Sequence, residues 1–296
     1  MKSDFHMHSR FSDGREWPEE IVERAKKQGL QQLALTDHDS LEGVDRFMVA
    51  CNKSGIKGIP GTEIDCVQPE IDFSSEILGY FPSGKYAQTK SELTFLLNRR
   101  VEMVKSAILL GEEIYNRNDF SFEDFIKFKT GEIWTLQHHN LITLMKADVY
   151  NYFVHKGIAL EPLKDFKKQF FSHSAFSVSV DKKITVFDTL RMIRVDGGFP
   201  VLPHPGYLFN LNVDLFKSEK NQKDFLWMLN LLKSHGLWGV EMHVYDNNLV
   251  TIQVNKIMKQ FAAECGLGIT YGSDDHGKGS FRDYLGGFFG DFNNFN

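Results

Sequence analysis

Polar and apolar residues alternate strictly over residues 4–8. Asp4, His6 and His8 share one phase of this pattern, and Phe5 and Met7 share the other. Side chains on a strand point to opposite faces in turn, so the pattern predicts a strand that presents both histidines on one face. Two imidazoles placed two residues apart on an extended segment can both reach one divalent ion.

Strands and helices are predicted to alternate over the first 80 residues. A helix is expected to begin near Pro18, because proline suits the first helical turn and the apolar residues that follow have helical spacing. Short apolar segments at 33–36 and 56–59 predict buried strands, with a second helix over about 41–53 between them. This alternation indicates a parallel sheet or a barrel of βα units.

The pattern changes after about Pro82 and changes back near Thr185. Between these points the chain is rich in Lys, Glu, Phe and Leu at helical spacing and has few strand signals. Farther along, strands are predicted at 199–202, 238–243 and 267–271, with helices between them. We therefore predict an α/β fold in three segments: a first barrel part over 1–84, a mostly helical insertion over 85–180 and a second barrel part over 181–296.

Composition and charge narrow the class of protein. The 296 residues are 42% hydrophobic and 25% charged, which is typical of a soluble globular protein. A net charge of −5 argues against a general binder of nucleic-acid polymers or anionic membranes. Cys51, Cys66 and Cys265 have no C-x-x-C spacing and indicate free thiols in a reducing compartment. The sequence shows no leader and no apolar run near about 18 residues, so we expect a cytoplasmic protein.

Side chains that can bind metal recur where the predicted strands end. In barrels of βα units the loops at the C-terminal ends of the strands converge on one face, where functional sites are built. Imidazole and carboxylate groups together are the ligand set of zinc, iron or manganese. The groups at or just past strand ends are those of His38, Glu63, His204, Glu241, Asp274 and His276, and Asp13 follows the first strand. Their recurrence predicts a metal site in preference to core or surface histidines.

Five motifs resemble those of the PHP (polymerase and histidinol phosphatase) family, most closely its stand-alone metal-dependent phosphoesterases with a helical insertion. In chain order they are DFHMHSRFSDG, ALTDHDSLEG, GTEID, PHPG and GSDDHG. The resemblance covers nearly the whole chain outside about 85–130 and the last dozen residues. It implies a distorted (β/α)7 barrel with two or three divalent metal ions, Mn, Fe or Zn, that hydrolyses phosphate esters.

The resemblance also implies a ligand set for each metal, in which Glu63 matches the carboxylate that bridges metals. The first metal would be bound by His6, His8 and Asp274, and the second by Asp13, His38 and His276. His204 is a candidate for either a remaining ligand or the acid that protonates the leaving alkoxide, and it forms the candidate catalytic set with Asp13 and Glu63. Asp4, in phase with the first two ligands, is expected to orient one of their ring N–H groups.

The third metal site departs from the family pattern. A histidine of similar proteins is replaced by Glu76, which adds negative charge and has a different reach. The other ligand of this site is best matched by His139, in the predicted insertion. The basic residue usual two positions before His139 is replaced by Gln137, so one expected phosphate contact is missing. These departures predict a weaker, altered or absent third metal.

Candidate phosphate-binding residues lie close to the ligands in sequence. Arg10 is the cation nearest to the first strand, and Lys278 and Arg282 lie beyond the last ligand. For Lys278 and Arg282 a solvated surface position is an equal alternative. His243 shares strand parity with Glu241, so it either lines the pocket or packs in the core.

The leading hypothesis is a metal-dependent phosphoesterase that hydrolyses a small phosphorylated metabolite with a metal-activated hydroxide. A nucleotide bisphosphate ranks first, because the most similar family members hydrolyse such compounds. Histidinol-phosphate phosphatase is a second hypothesis, and an amidohydrolase-type hydrolase is a third, although that family usually has a bridging lysine where this chain has Glu63. The last alternative is a non-catalytic domain that binds metal or a phosphorylated effector. We expect a small-molecule phosphate ester as partner, without a nucleic-acid polymer or a membrane, and the sequence leaves the oligomeric state open.

Overall fold

The computed structural model describes residues 2–131, 141–174, 176, 184–206, 218–243, 249–280 and 282–285. Two compact units divide the chain: Met1–Ser91 with Lys183–Asn296, and Glu92–Lys182. Gln137 and His139 lie outside the described residues, as does the side chain of His243. None of the helices in the described ranges is both long and apolar enough to cross a bilayer.

One sheet of eight strands organises the described part of the first unit. Its strands are β1 (Ser3–Asp4), β2 (Gln32–Leu35), β3 (Lys57–Gln68), β4 (Phe73–Tyr80), β5 (Ile184–Thr185), β6 (Phe199–Leu202), β7 (Gly239–His243) and β8 (Gly268–Gly272). They lie in the order β1-β2-β3-β4-β6-β7-β8, and β5 pairs with β3. At the two ends of this path, the N–H of Phe5 donates to the carbonyl of Tyr271 at 3.1 Å, and that of His8 to Asp275 at 2.8 Å. The path is therefore nearly closed, which confirms the predicted α/β barrel.

Strand β4 departs from the predicted alternation of strand and helix. It runs antiparallel to both β3 and β6, whereas the other neighbours along the path are parallel. A short turn at Pro69–Ile71 joins β3 to β4, and Asp72 follows it in the left-handed region at φ 51°. Because no helix crosses over between the two strands, β4 reverses direction. The predicted alternation of strand and helix therefore does not hold between β3 and β4.

Helices form where the sequence places apolar stripes between strands. The bounds are α1 (Pro18–Lys27), α2 (Val44–Ser54), α3 (Ala87–Ile114), α4 (Phe122–Thr130), α5 (Lys146–His155), α6 (Leu163–Phe170), α7 (Val186–Val195), α8 (Glu219–Ser234) and α9 (Leu249–Cys265). Helix α1 begins as predicted, with Pro18 in its first turn and the carboxylate of Glu20 accepting a hydrogen bond from the N–H of Trp17 at 2.7 Å. It buries Ile21 and Ala25, and a fully buried aliphatic side chain of the size of Ile21 contributes about 1.5–3 kcal/mol.

Two apolar clusters lie on opposite faces of the sheet near β1. Phe5 packs in the cluster formed by strand residues, where the hydroxyl of Tyr80 donates to the carbonyl of Phe5 at 2.9 Å. Met7 packs instead in the cluster that contains residues of α1 and α2. Regular pairing of β1 ends at Asp4, so the period of two predicted for residues 4–8 does not persist. Phe5 and Met7 therefore do not pack on the same side, as strict alternation would require.

Candidate metal centre

The predicted ligands that the structure describes meet at one end of the barrel. Within each of three groups, one ligand atom from every member lies within 4.8 Å of the others. The first group is His6, His8, Glu63 and Asp274; the second is His8, Asp13, His38 and His276; the third is Glu63, Glu76 and His204. His8 and Glu63 each belong to two groups, so the three groups are contiguous.

The first group is the most deeply buried. Nε2 of His8 lies 3.1 Å from Oδ1 of Asp274 and 3.3 Å from Oε2 of Glu63, and Nε2 of His6 lies 3.2 Å from the same oxygen of Glu63. All four side chains are at most 1% exposed. Donors that bind one metal at about 2.0–2.2 Å are separated from each other by about 3.0–3.5 Å, so these spacings fit a shared ion.

The ring nitrogens of this group support the same interpretation. Nε2 of His6 and both ring nitrogens of His8 are buried, and in the part of the chain that the structure describes they make no hydrogen bond. Burying a polar atom without a hydrogen bond costs free energy. A cation bound between these ring nitrogens and the two carboxylates would remove that cost. The residues therefore fit a bound divalent ion.

The second group surrounds Asp13. Its Oδ2 lies 3.3 Å from Nε2 of His276 and 3.8 Å from Nε2 of His38, and its Oδ1 lies 3.7 Å from Nδ1 of His8. A neutral imidazole has one lone pair, so His8 can serve only one group unless it loses its ring proton. If His8 serves the first group, the second retains Asp13, His38 and His276.

The third group lies between β3, β4 and the segment after β6. Nε2 of His204 lies 3.0 Å from Oε1 of Glu63 and 3.8 Å from Oε2 of Glu76. The Glu76 side chain is 30% exposed, so this group borders solvent. The remaining ligand expected here, His139, is outside the described residues.

Charge within the cluster is arranged to hold cations. Burial opposes ionisation of Glu63, but His6 and His38 hold its pKa well below the usual range. Burial likewise opposes a charged His8, yet Asp274 and Glu63 raise its pKa to about 10. Glu76 differs, because burial and the charge of Glu63 both raise its pKa. Concentrated carboxylates thus require positive charge among them, which divalent ions would supply.

Glu241 orients ligands of two groups at once. Its Oε1 and Oε2 lie 3.0 Å and 3.2 Å from Nδ1 of His6, and its Oε2 accepts a hydrogen bond from the N–H of His204 at 2.9 Å. Contact at Nδ1 directs Nε2 of His6 toward Glu63 and Asp274, as a carboxylate partner does for a metal-bound imidazole. The sequence placed Glu241 at a strand end but did not indicate this role.

The expectation for Asp4 is wrong. Its oxygens accept hydrogen bonds from the N–H and hydroxyl of Ser273, at 2.9 and 2.6 Å, and from the backbone N–H of His6 at 3.3 Å. Because β1 ends at Asp4, this carboxylate is directed to the segment after β8, and Glu241 meets the imidazole instead. Asp4 therefore ties the first ligand segment to the last.

Backbone conformation places the ligands that follow β6 and β8. His204 and Asp274 adopt positive φ angles of 30° and 54°, a region that costs a non-glycine residue about 1–3 kcal/mol. Gly272 lies beside them, where a Cβ atom would collide with Cβ of His6 and with Oε1 of Glu241. Residue 272 must therefore be glycine for His6 and Glu241 to keep their positions.

Two further acids that the sequence analysis missed hold the ligand loops. Asp37 is buried and accepts three hydrogen bonds of 2.7 Å, from the N–H and hydroxyl of Ser9 and from the hydroxyl of Ser12. Asp275 accepts from the N–H groups of Tyr284 and Leu285 and pairs with Arg24. An acid next to a ligand in a motif is the sequence signal for such residues, and the hydrogen bonds that the acid accepts in the structure identify it as a supporting one.

The predicted phosphate-binding residues occupy different environments. Arg282 donates a hydrogen bond to Oδ2 of Asp274 and is 25% exposed, so it lies at the edge of the first group. The guanidinium of Arg10 is partly buried, 5.5 Å from the centroid of the Trp17 ring. Lys278 is exposed, and its backbone N–H donates to Glu16. The structure thus brings Arg282 into contact with a ligand.

Comparison with known proteins gives a family and several relatives. A family model described as the PHP domain matches residues 4–179. A 5'-3' exoribonuclease of Haemophilus influenzae is 25% identical over 279 residues, which cover 93% of this chain and 90% of that protein. A phosphoribosyl 1,2-cyclic phosphate 1,2-diphosphodiesterase of Eggerthella lenta is 26% identical over 285 residues, with coverage of 94% and 95%.

Solved structures share the fold. A protein from Bifidobacterium adolescentis described as a metal-dependent phosphoesterase superposes with a TM-score of 0.67 at 24% identity, over 95% of this chain and 89% of that one. A protein from Chromobacterium violaceum described as an amidohydrolase with bound sulfate gives 0.66 at 22% identity, over 94% and 89%. These likenesses establish the architecture and not the reaction.

Proposed function

Because the chain belongs to the PHP domain family and is a metal-dependent phosphoric ester hydrolase, we propose that its substrate is a small phosphorylated metabolite, with a nucleotide bisphosphate as the first candidate. The observation that carries the proposal is that the ligand groups are contiguous, with Glu63 shared between the first and third groups and His8 lying between the first and second. Ions bound by these contiguous groups would lie close enough to hold several oxygens of one phosphate. When bound, these ions would neutralise phosphate charge and supply a nucleophile from water at neutral pH.

The other predicted site residues are assigned to metal binding or to positioning of the ligands. Asp13 and Glu63 are assigned as metal ligands, and Glu63 lies between the first and third groups. His204 is assigned as a ligand of the third group rather than as an acid, since its Nε2 faces carboxylate oxygens of Glu63 and Glu76. Glu241 and Asp4 hold the ligand segments in place and contact no substrate in this proposal.

Arg282 is assigned to bind the phosphate. It contacts Asp274 at the solvent edge of the first group, and a guanidinium suits phosphate oxygens because of its planar set of donors. Arg10 is a second candidate, on the loop that follows the first two ligands. Lys278 is exposed, and we assign it only a general attraction for anions, without a specific contact to the phosphate.

A second candidate substrate is the end of a short RNA strand. It is favoured by the relative named a 5'-3' exoribonuclease, which aligns with 93% of this chain. The relative named a cyclic phosphate diphosphodiesterase aligns equally well and favours a small molecule. The expectation that nucleic acid plays no part is therefore not retained, and both substrates require hydrolysis of a phosphate ester, a monoester in the bisphosphate and a diester in RNA.

The test is a panel of phosphate esters given to protein reconstituted with Mn²⁺. The panel holds a nucleoside bisphosphate, a ribose cyclic phosphate, histidinol phosphate and a short 5'-phosphorylated oligoribonucleotide, with release of phosphate or nucleotide as the readout. We expect turnover of the bisphosphate that is abolished in Asp274→Ala and retained in Asp224→Ala, a matched change at an exposed acid of α8. Turnover of the oligoribonucleotide alone would replace the first candidate with the second. Absence of hydrolysis across the panel by metal-loaded protein would contradict both.

A further inference from the structure

The three ligand groups differ in the chemistry of their donors. Among the described residues, and with His8 assigned to the first group, the second group offers two imidazoles and one carboxylate, and the first offers two of each. The third offers a single imidazole, from His204, and two carboxylates, from Glu63 and Glu76. The proportion of oxygen donors therefore rises from the second group, through the first, to the third.

This gradient has a consequence for metal selectivity. Imidazole suits zinc, iron and copper, whereas carboxylate and water suit magnesium, calcium and manganese. Magnesium also keeps several of its water ligands and is usually bound through only one or two carboxylates. An oxygen-rich group with three described ligands is thus poorly suited to outcompete an imidazole-rich neighbour for zinc.

The surroundings of Glu76 reinforce the difference. Glu76 on β4 pairs in register with Asp65 on β3, so a third carboxylate lies on the neighbouring strand. The Glu76 side chain is 30% exposed, whereas the ligands of the first group are almost completely buried. An ion at the third group would therefore have access to solvent water and a more negative environment. The negative, oxygen-rich environment favours a hard cation, whereas solvent access alone does not set this group apart, because Asp13 of the second group is 32% exposed.

We infer that the group of Glu63, Glu76 and His204 takes an exchangeable hard cation, Mn²⁺ or Mg²⁺, while the imidazole-rich group around Asp13 retains zinc or iron. The inference rests on the metal-dependent site proposed above and assigns Glu76 as the residue that determines selectivity. The centre is then of mixed composition, with one position that fills according to the manganese or magnesium concentration of the solution. Replacing Glu76 by histidine should shift this position toward zinc.

The experiment counts metals and does not depend on turnover. Chelator-stripped wild type, Glu76→Gln and Glu76→His are dialysed against Zn²⁺ and Mn²⁺ together, and bound metals are measured before and after gel filtration. Binding of Mn²⁺ is also titrated by electron paramagnetic resonance. Glu70→Gln is the matched control, because Glu70 is exposed and lies in the turn between the same two strands.

Wild type and Glu70→Gln should bind a Mn²⁺ equivalent that gel filtration removes, while their zinc survives. Glu76→Gln should bind that Mn²⁺ at least about 10–100-fold more weakly, since loss of a ligand costs no less than loss of its outer partner. Glu76→His, which restores a ligand, should gain a zinc equivalent that survives gel filtration. Wild-type Mn²⁺ affinity in Glu76→Gln, or unchanged zinc retention in Glu76→His, would overturn the inference. Graded metal binding in a protein that hydrolyses nothing would overturn only the proposed substrate.

Discussion

Replacing Glu241 by glutamine removes a charge and one hydrogen-bond acceptor while it keeps the shape of the side chain. Both oxygens of Glu241 are used in the structure, toward Nδ1 of His6 at 3.0 and 3.2 Å and toward the N–H of His204 at 2.9 Å. Nε2 of His6 faces the first ligand group, so the ring proton belongs on Nδ1 when Nε2 binds a metal. A carboxylate accepts from both donors at once.

Glutamine cannot do the same, because it keeps one accepting oxygen and replaces the other with an NH2 group that only donates. If the remaining oxygen accepts from the backbone N–H of His204, the amide NH2 faces the ring N–H of His6. In the opposite orientation, the NH2 faces the backbone N–H of His204. Either way a buried donor meets another donor, which costs about 1–3 kcal/mol. Loss of such an outer partner lowers metal affinity by about 10–100-fold, which corresponds to about 1.4–2.7 kcal/mol.

The assay is competition for metal against a chromophoric chelator. Glu219→Gln serves as the matched control, since this acid is exposed and its only described ion pair is with Lys223 on the same helix. We expect Glu241→Gln to bind its tightest ion about 10–100-fold more weakly and the control to match wild type. Circular dichroism checks that both variants are folded. Wild-type metal affinity in folded Glu241→Gln would refute the argument that this carboxylate orients the ligands.

Four further predictions follow from the same geometry. His8→Ala should lose more bound metal than His276→Ala, since His8 borders two groups and His276 one; equal losses by elemental analysis would contradict the shared position. Gly272→Ala should lose metal and phosphatase activity together, because a Cβ atom has no room beside His6, and a fully active variant would disprove the crowding. Asp37→Asn should lower the free energy of unfolding by about 1–3 kcal/mol in urea titrations, as one oxygen of a buried carboxylate that accepts three hydrogen bonds becomes a donating NH2 group; unchanged stability would count against that role. Chelation of metal held at about 100 times its Kd should remove about 2.7 kcal/mol of stability, and a melting temperature indifferent to chelator would argue that no ion is bound.

Much of the architecture could be predicted from local pattern. The motifs around His6, His38 and Asp274 identified the PHP family and the α/β barrel, and these predictions are confirmed. Strand ends carry that information, because residues that follow buried strands of a barrel must converge on its mouth. The ligand assignments remain predictions, although the structure brings every described one of them into the three groups.

What the sequence did not reveal depends on distant packing. The reversal of β4 follows from a turn too short for a crossover helix, and no periodicity marks it. The exchange of roles between Asp4 and Glu241 follows from the end of regular pairing at β1, which breaks the apparent period of two. Asp37 looks like any acid beside a ligand until its three donors are seen in place.

The most direct test is a crystal structure of protein loaded with Zn²⁺ and Mn²⁺, with anomalous diffraction recorded at both absorption edges. Anomalous peaks should lie about 2.0–2.2 Å from the ligand atoms of the first two groups. A further manganese peak is expected at the third group, next to Glu76. Peaks elsewhere, or ligand groups that stay empty in metal-loaded crystals, would contradict the claim that these side chains share their ions at one mouth of the barrel.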